Sequence, residues 1–298
     1  MTDLPDIMHV LSLRAPAGAC GALVELLSGI EAPSSLVQDV QQGTPGVLCF
    51  YCESETELAT VRAAVETTLG AAHDALGLPP VAIEAGVLRK EEWADAWKRF
   101  FHVQRVGKRL VIRPSWEEYA AQPGDVVITL DPGMAFGTGQ HATTRACLAM
   151  LEEIIDSGVP HSMLDAGTGS GVLSIAAALM GVGKIDAFDI EKEAVMTARD
   201  NAKINRVAGA ITFFQADLDA FVPGRAYDII AANMIDTLLM RNAAKLARAV
   251  APGGSLLISG ILGHEYESVA AAFSARGLAE RTVAAVAEWR TGWFAKPH

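Results

Sequence analysis

The chain has 298 residues, a formal net charge of −11, 51% hydrophobic and 20% charged residues. That length exceeds one ordinary globular core and suits a compact enzyme domain with a smaller accessory one, and the hydrophobic share excludes a disordered chain. The acidic balance argues against a general phosphate-binding surface, which needs clustered Lys and Arg, and favours a cationic partner.

Met8 to Leu13 alternates like a strand, Ala17 to Ile30 is helical, Val47 to Cys52 is a strand and Glu55 to Leu76 is an Ala-rich helix. Gly77 with Pro79 and Pro80 stops that helix, and Val81 to Val87 supplies a further strand. The pattern predicts a small α+β, ferredoxin-like unit over residues 1–88, built from two βαβ halves. Met8 to Leu27 is interrupted by Arg14, Pro16 and Glu25, so it lacks the charged start and apolar run of a secretory signal. Cys49 and Cys52 form a Cys-x-x-Cys pair inside the strand, with no second Cys or His pair nearby. We read them as two free thiols, which fit a reducing cytosol; no metal site is expected.

Residues 89–129 read as a linker. They hold a helix from Glu91 to Phe101, whose Trp93, Trp97, Phe100 and Phe101 form a packing seam, and two β-like pieces, Arg109 to Arg113 and Asp125 to Thr129. Residues 130–298 form the main domain. From His161 onward, strands Ser162 to Leu164, Lys184 to Asp189, Ala210 to Ala216, Tyr227 to Ala232 and Ser255 to Ser259 alternate with helices, which predicts a mainly parallel sheet covered on both faces. Arg281 to Trp289 and Thr291 to Ala295 are too closely joined for anything but an antiparallel hairpin. The fold class is α/β: five parallel strands closed by a hairpin make the seven-stranded, Rossmann-like arrangement of S-adenosylmethionine (SAM)-dependent methyltransferases. The uncharged stretch Ala166 to Gly183 approaches membrane-span length, but five glycines break it, so no membrane contact is expected and the chain reads as cytoplasmic.

After the first strand of the main domain comes Asp165-Ala166-Gly167-Thr168-Gly169-Ser170-Gly171, followed by the apolar helix Val172 to Met180. Glycines there let a ligand approach the backbone and expose helix N-terminal amides. Val172 stands where a dinucleotide loop needs its third glycine, and the lysine of a phosphate-binding loop is missing, so a pyrophosphate cradle is disfavoured. Asp189 ends the second strand, where a carboxylate can accept two hydrogen bonds from a ribose diol, and Asp217 ends the third, near the place of an adenine ring. All three features lie at carboxyl ends of strands, where open α/β sheets bind ligands.

The run Leu130-Asp131-Pro132-Gly133-Met134-Ala135-Phe136-Gly137-Thr138-Gly139-Gln140-His141-Ala142-Thr143-Thr144 resembles the signature loop of the ribosomal protein L11 methyltransferases, the PrmA family. Glu92 to Lys98, Pro114-Ser115-Trp116, the glycine motif, Ala232-Asn233-Met234-Ile235 and Trp289 to Lys296 support it, so the resemblance spans about Glu91 to His298. Gln140 stands where Thr or His is usual, and Met234-Ile235 where Ile-Leu is usual.

The resemblance implies SAM as cofactor and ribosomal protein L11 as protein substrate, methylated on lysine ε-amines, with the N-terminal α-amine as a further acceptor. No direct nucleic-acid substrate is expected. It also implies that Phe136, Gly139, Thr144, Asp165, Gly167, Gly169, Gly171, Asp189, Asp217 and Asn233 bind the cofactor, and that Asn233 and Thr138 serve catalysis by aiming the acceptor amine. His141 is read as helix-start packing or capping rather than a base. Three other readings stand beside this one. A nucleic-acid methyltransferase would carry Pro-Pro-aromatic where Met234 and Ile235 stand; the others are a lysine methyltransferase of another protein and a non-catalytic ribosome-assembly factor.

Overall fold

A computed structural model describes residues 7–15, 23, 26–27, 30, 34–37, 46–52, 54–76, 81–89, 102–131, 141–158 and 160–298. The expected helix Glu91 to Phe101, most of the expected helix Ala17 to Ile30, and Phe136, Thr138 and Gly139 lie outside them. The chain divides into two compact units, Met1–His102 and Val103–His298.

In the first unit, β1 (Ile7–Ala15), β2 (Ser34–Val37), β3 (Gly46–Cys52) and β4 (Ala82–Arg89) form an antiparallel sheet in the order β2-β3-β1-β4. This is the ferredoxin-like order. Helix α1 (Glu55–Leu76) begins where the Ser54 hydroxyl oxygen accepts the Glu57 amide at 3.2 Å, a side-chain cap followed by two acidic residues that suit the helix dipole. Its Val61 and Val65 are buried with Leu11, Leu13, Leu48 and Phe50 of the sheet, so alternation on the strands meets the helical period on one apolar layer. Cys49 and Cys52 are free thiols inside β3.

The second unit opens with a three-stranded sheet, β5 (Gln104–Val106), β6 (Leu110–Arg113) and β7 (Val126–Thr129). Helix α2 (Ala142–Asp156) carries the buried Glu152, whose two carboxylate oxygens accept the backbone amides of Lys108 and Arg109 at 2.6 Å each. Gly107 precedes them at φ +72°, and a side chain there would strike that carboxylate.

The main sheet has seven strands in the order β10-β9-β8-β11-β12-β14-β13. They are β8 (Ser162–Ala166), β9 (Lys184–Asp189), β10 (Ile211–Gln215), β11 (Tyr227–Asn233), β12 (Val250–Leu262), β13 (Ala279–Val286) and β14 (Trp289–Ala295). The first five run parallel, and β14 returns antiparallel beside β12 with β13 outside it. Successive residues enter opposite cores. Met163, Ile229 and Leu257 pack with α2, α3 (Val172–Leu179) and α4 (Lys192–Ile204), while Leu164, Ile230 and Ile258 pack with α5 (Asp236–Ala249) and α6 (Tyr266–Ser274). Burial on both faces is why these strands read as continuous apolar runs. Strand order reverses between β8 and β11, and a crevice opens at the carboxyl ends beside such a reversal.

The closing hairpin turns earlier than its sequence suggests. Ala287 adopts φ +51°, and the Glu288 carbonyl accepts the Gly263 amide at 2.8 Å, which fixes the turn two residues before Trp289 would have ended a strand. Among the described residues, no helix is long and apolar enough to cross a membrane.

Candidate active site

The turn after β8 is built from three left-handed glycines, Gly167 (φ +72°), Gly169 (φ +53°) and Gly171 (φ +83°). Only glycine holds such angles without strain. At two of them a side chain would also press on a neighbour. A Cβ at Gly167 would lie 2.7 Å from the Met234 methyl carbon, and one at Gly171 would lie 3.0 Å from the Ala198 Cβ. The turn is tied to the neighbouring strand, since the amides of Gly167 and Thr168 both donate to the Phe188 carbonyl at 2.9 Å.

Asp165, at the end of β8, is buried; its Oδ2 accepts the Thr168 and Ser174 hydroxyls at 2.8 and 2.6 Å. Burial pushes its carboxyl above the ordinary aspartate range, while the two hydroxyl bonds pull the other way. Asp165 therefore braces the turn from inside.

Asp189 sits half-buried at the end of β9. Its Oδ2 accepts the Gly169 amide at 2.9 Å and its Oδ1 the Glu191 amide at 3.1 Å. Each oxygen keeps a further lone pair, so the carboxylate can still accept a diol. Asp217 is exposed just beyond β10, where its Oδ1 accepts the Asp219 amide at 2.8 Å and its carbonyl accepts Ala220 and Phe221. Behind both aspartates the rings of Phe188, Phe214 and Phe221 pack with centroids 4.6 to 5.7 Å apart.

Asn233 ends β11, across the strand-order reversal from the glycine turn, and its Nδ2 donates to Thr143 Oγ1 at 3.2 Å. Thr143 lies in the first turn of α2 and is 2.7 Å from His141 Nδ1, while its amide donates to the same nitrogen at 3.4 Å, so His141 caps the helix. The His141 ring meets Trp289 edge-on, with centroids 5.2 Å apart. On the other side of Asn233 stands Gly260 (φ +80°). A Cβ there would come within 2.6 Å of the Met234 carbonyl oxygen and 3.1 Å of Asn233 Oδ1.

Next to Thr143, the Thr144 hydroxyl is buried and lacks a hydrogen-bond partner among the described residues. A buried unsatisfied hydroxyl is costly unless a ligand completes it. A glycine turn with exposed backbone, a half-used carboxylate and this hydroxyl suit a nucleoside ligand with a ribose diol and a polar tail.

The structure thus gathers Thr144, Asp165, Gly167, Gly169, Gly171, Asp189, Asp217 and Asn233 at strand ends or helix starts of one unit. Sequence reasoning passed over the Thr143 link, Gly260 and the three phenylalanines. A glycine just beyond an apolar strand core was the one available signal, in Ser259-Gly260.

A family model described as ribosomal protein L11 methyltransferase (PrmA) matches residues 22–296. A ribosomal protein L11 methyltransferase from Chloroflexus aurantiacus is 40% identical over 309 residues, covering 96% of this chain and 93% of the relative. Another, from Geobacter sp., is 46% identical over 74% of this chain and 71% of its own. The crystal structure of a ribosomal protein L11 methylase from Lactobacillus delbrueckii subsp. bulgaricus aligns with a TM-score of 0.61 at 29% identity, covering 66% of this chain and all of that one. With the glycine turn, Asp189 and Asn233 in place and a match that runs almost end to end, the chain belongs to the ribosomal protein L11 methyltransferase (PrmA) family.

Proposed function

We propose that this chain is a SAM-dependent protein N-methyltransferase that modifies lysine ε-amines and the N-terminal α-amine of ribosomal protein L11 in the cytoplasm. Support comes from the family match and from one arrangement: the Asn233 amide, set at the crevice end of β11 and held there by Thr143. SAM supplies an electrophilic methyl carried by a cationic sulfur.

The chain's own residues do the rest. Asp189 accepts the ribose hydroxyls, the glycine turn admits the nucleoside, and Thr144 completes its hydrogen bonding on the bound molecule. Phe136 and Gly139 join this set through the family's signature loop.

Only a neutral amine has the lone pair that attack requires, and deprotonating a lysine of pKa about 10.4 at pH 7 costs roughly 4 to 5 kcal/mol. Removing the amine from water lowers that cost, because desolvation disfavours the ammonium form. The remaining task is aim. The Asn233 carbonyl oxygen accepts an amine hydrogen and turns the lone pair towards the methyl, with Thr138 as a second acceptor, and such positioning is worth several kcal/mol. The first unit, outside the complete nucleoside-binding domain, serves recognition of the protein acceptor.

The test is methyl transfer from labelled SAM to purified ribosomal protein L11, with sites located by peptide mass mapping. Label on lysines and the N-terminus bears the reading out. Label only on other proteins moves the acceptor, and SAM binding without any transfer points to an assembly role.

A further inference from the structure

Three polar side chains, two from the start of α2 and one from the end of β11, form one line of hydrogen bonds at the crevice: His141, Thr143 and Asn233. We infer that His141 is a positioning residue which, through the Thr143 hydroxyl, dictates which end of the Asn233 amide faces the acceptor amine. The inference rests on Asn233 as the aiming group and adds what orients it.

The direction of the line follows from what each atom is able to do. A backbone N–H only donates, and the Thr143 amide points at His141 Nδ1, so Nδ1 carries the lone pair and its proton sits on Nε2. The Thr143 hydroxyl, at 2.7 Å, then donates to Nδ1 as well. A hydroxyl that has given its hydrogen away offers only lone pairs, so Thr143 Oγ1 accepts, and the Asn233 group at 3.2 Å must be its N–H end. Oδ1 is left on the opposite side, over Gly260, whose lack of a side chain leaves that oxygen room.

Reverse the imidazole and the line reverses. With a proton on Nδ1, the Thr143 oxygen becomes the acceptor of that proton, its hydroxyl turns to Asn233, and the amide must present Oδ1 to Thr143 and NH2 to the substrate. An NH2 group repels an amine hydrogen instead of accepting it.

The surroundings keep the productive state at neutral pH. Burial disfavours the imidazolium, and Glu288 is the charged neighbour that pulls the other way. The edge-on ring of Trp289 limits rotation of the imidazole.

Four variants of the full chain test this, each read by single-turnover methylation of ribosomal protein L11 at saturating SAM and by calorimetric SAM binding. His141→Phe keeps the ring contact and removes the acceptor; Thr143→Val keeps the shape and removes the hydroxyl. Both should slow transfer about 10- to 100-fold, the scale of a misplaced reacting group, with SAM affinity unchanged within about twofold. His141→Asn restores a capping oxygen that accepts but does not titrate, and Thr143→Ser restores the hydroxyl; both should transfer at near wild-type rate.

The amine's own titration is common to all variants. The ratio of wild-type to His141→Asn rates should therefore be level at neutral pH and fall only below the ordinary histidine value of about 6.5. Circular dichroism confirms that each variant is folded, and the two restoring variants keep the test decisive if Phe or Val is poorly tolerated. Wild-type rates in His141→Phe and Thr143→Val, losses confined to SAM affinity, or a His141→Asn as slow as His141→Phe would each overturn the inference while leaving the function intact. An inert wild-type chain overturns the function and this inference with it.

Discussion

The Gly169 amide donates to Asp189 Oδ2 across 2.9 Å, joining the glycine turn after β8 to the end of β9. The carboxylate thus supports the backbone that a nucleoside must approach while keeping lone pairs for the nucleoside itself. Asp189→Ala removes both, and SAM affinity should fall by at least the 1.5 to 3 kcal/mol of a charge-assisted bond, or roughly 10- to 150-fold. Calorimetry reads this directly. Unchanged affinity would remove Asp189 from the site.

Asn233→Ala should behave differently. If the amide aims the amine mainly in the transition state, transfer falls roughly 10- to 1000-fold while SAM affinity barely moves. Asn233→Asp keeps an acceptor but adds a charge that favours the protonated amine, so it should be slow near neutral pH and recover in part as pH rises. Wild-type single-turnover rates for the Ala variant would reduce Asn233 to a strand-end residue.

Gly260→Ala asks whether the space beside Asn233 matters. The residue stands at φ +80°, and its new methyl would press on the Met234 carbonyl. We expect a loss of about 1 to 3 kcal/mol in unfolding free energy together with slower transfer. A denaturant melt with wild-type midpoint would show that β12 yields at this point at no cost.

Asp165 gives a pH signature of stability. Its folded pKa is raised chiefly by burial, so the folded chain holds the proton more tightly than the unfolded one. Stability from this group is then complete below the unfolded value, about 3.9, and declines as pH rises through the higher folded value. Asp165→Asn does not ionise. The stability of wild type relative to this variant should decrease as pH rises above about 4 in urea titrations. An increase would mean that the Thr168 and Ser174 hydroxyls outweigh burial.

A chain beginning at Val103 tests the role of the first unit. The cut follows the boundary between the two units and spares all seven strands of the main sheet. The shortened chain should bind SAM with full affinity and fail to methylate intact ribosomal protein L11. Full-rate methylation would place acceptor recognition in the second unit.

Some elements were legible because their limits are local. Helix Glu55–Leu76 matches its sequence reading at both ends: Ser54 caps one, and the sequence breaks its helical pattern at Gly77 just past the other. Strand Lys184–Asp189 does likewise, a buried run between a glycine pair and a turn. The glycine turn and the strand-end Asp189 were readable for the same reason. By contrast, the hairpin turn at Ala287 is set by a hydrogen bond from Gly263, 25 positions from Glu288, and Val, Thr and Ala around it give no break in pattern. Strand β2 is four residues long and signals nothing by alternation. The Thr143–Asn233 contact joins positions 90 apart, a distance only the tertiary fold closes.

Glu152 and Thr143 lie nine positions apart on α2, two and a half helical turns, which sets them on opposite sides of one rod. One side is fastened to Asn233, the other to the amides of Lys108 and Arg109. A rod pinned at two points on opposing faces can neither roll nor slide without stretching both attachments. The register of α2 is therefore clamped, and the amide protons of Lys108 and Arg109, though remote from the crevice, should exchange with solvent in step with any loosening of the geometry at Asn233.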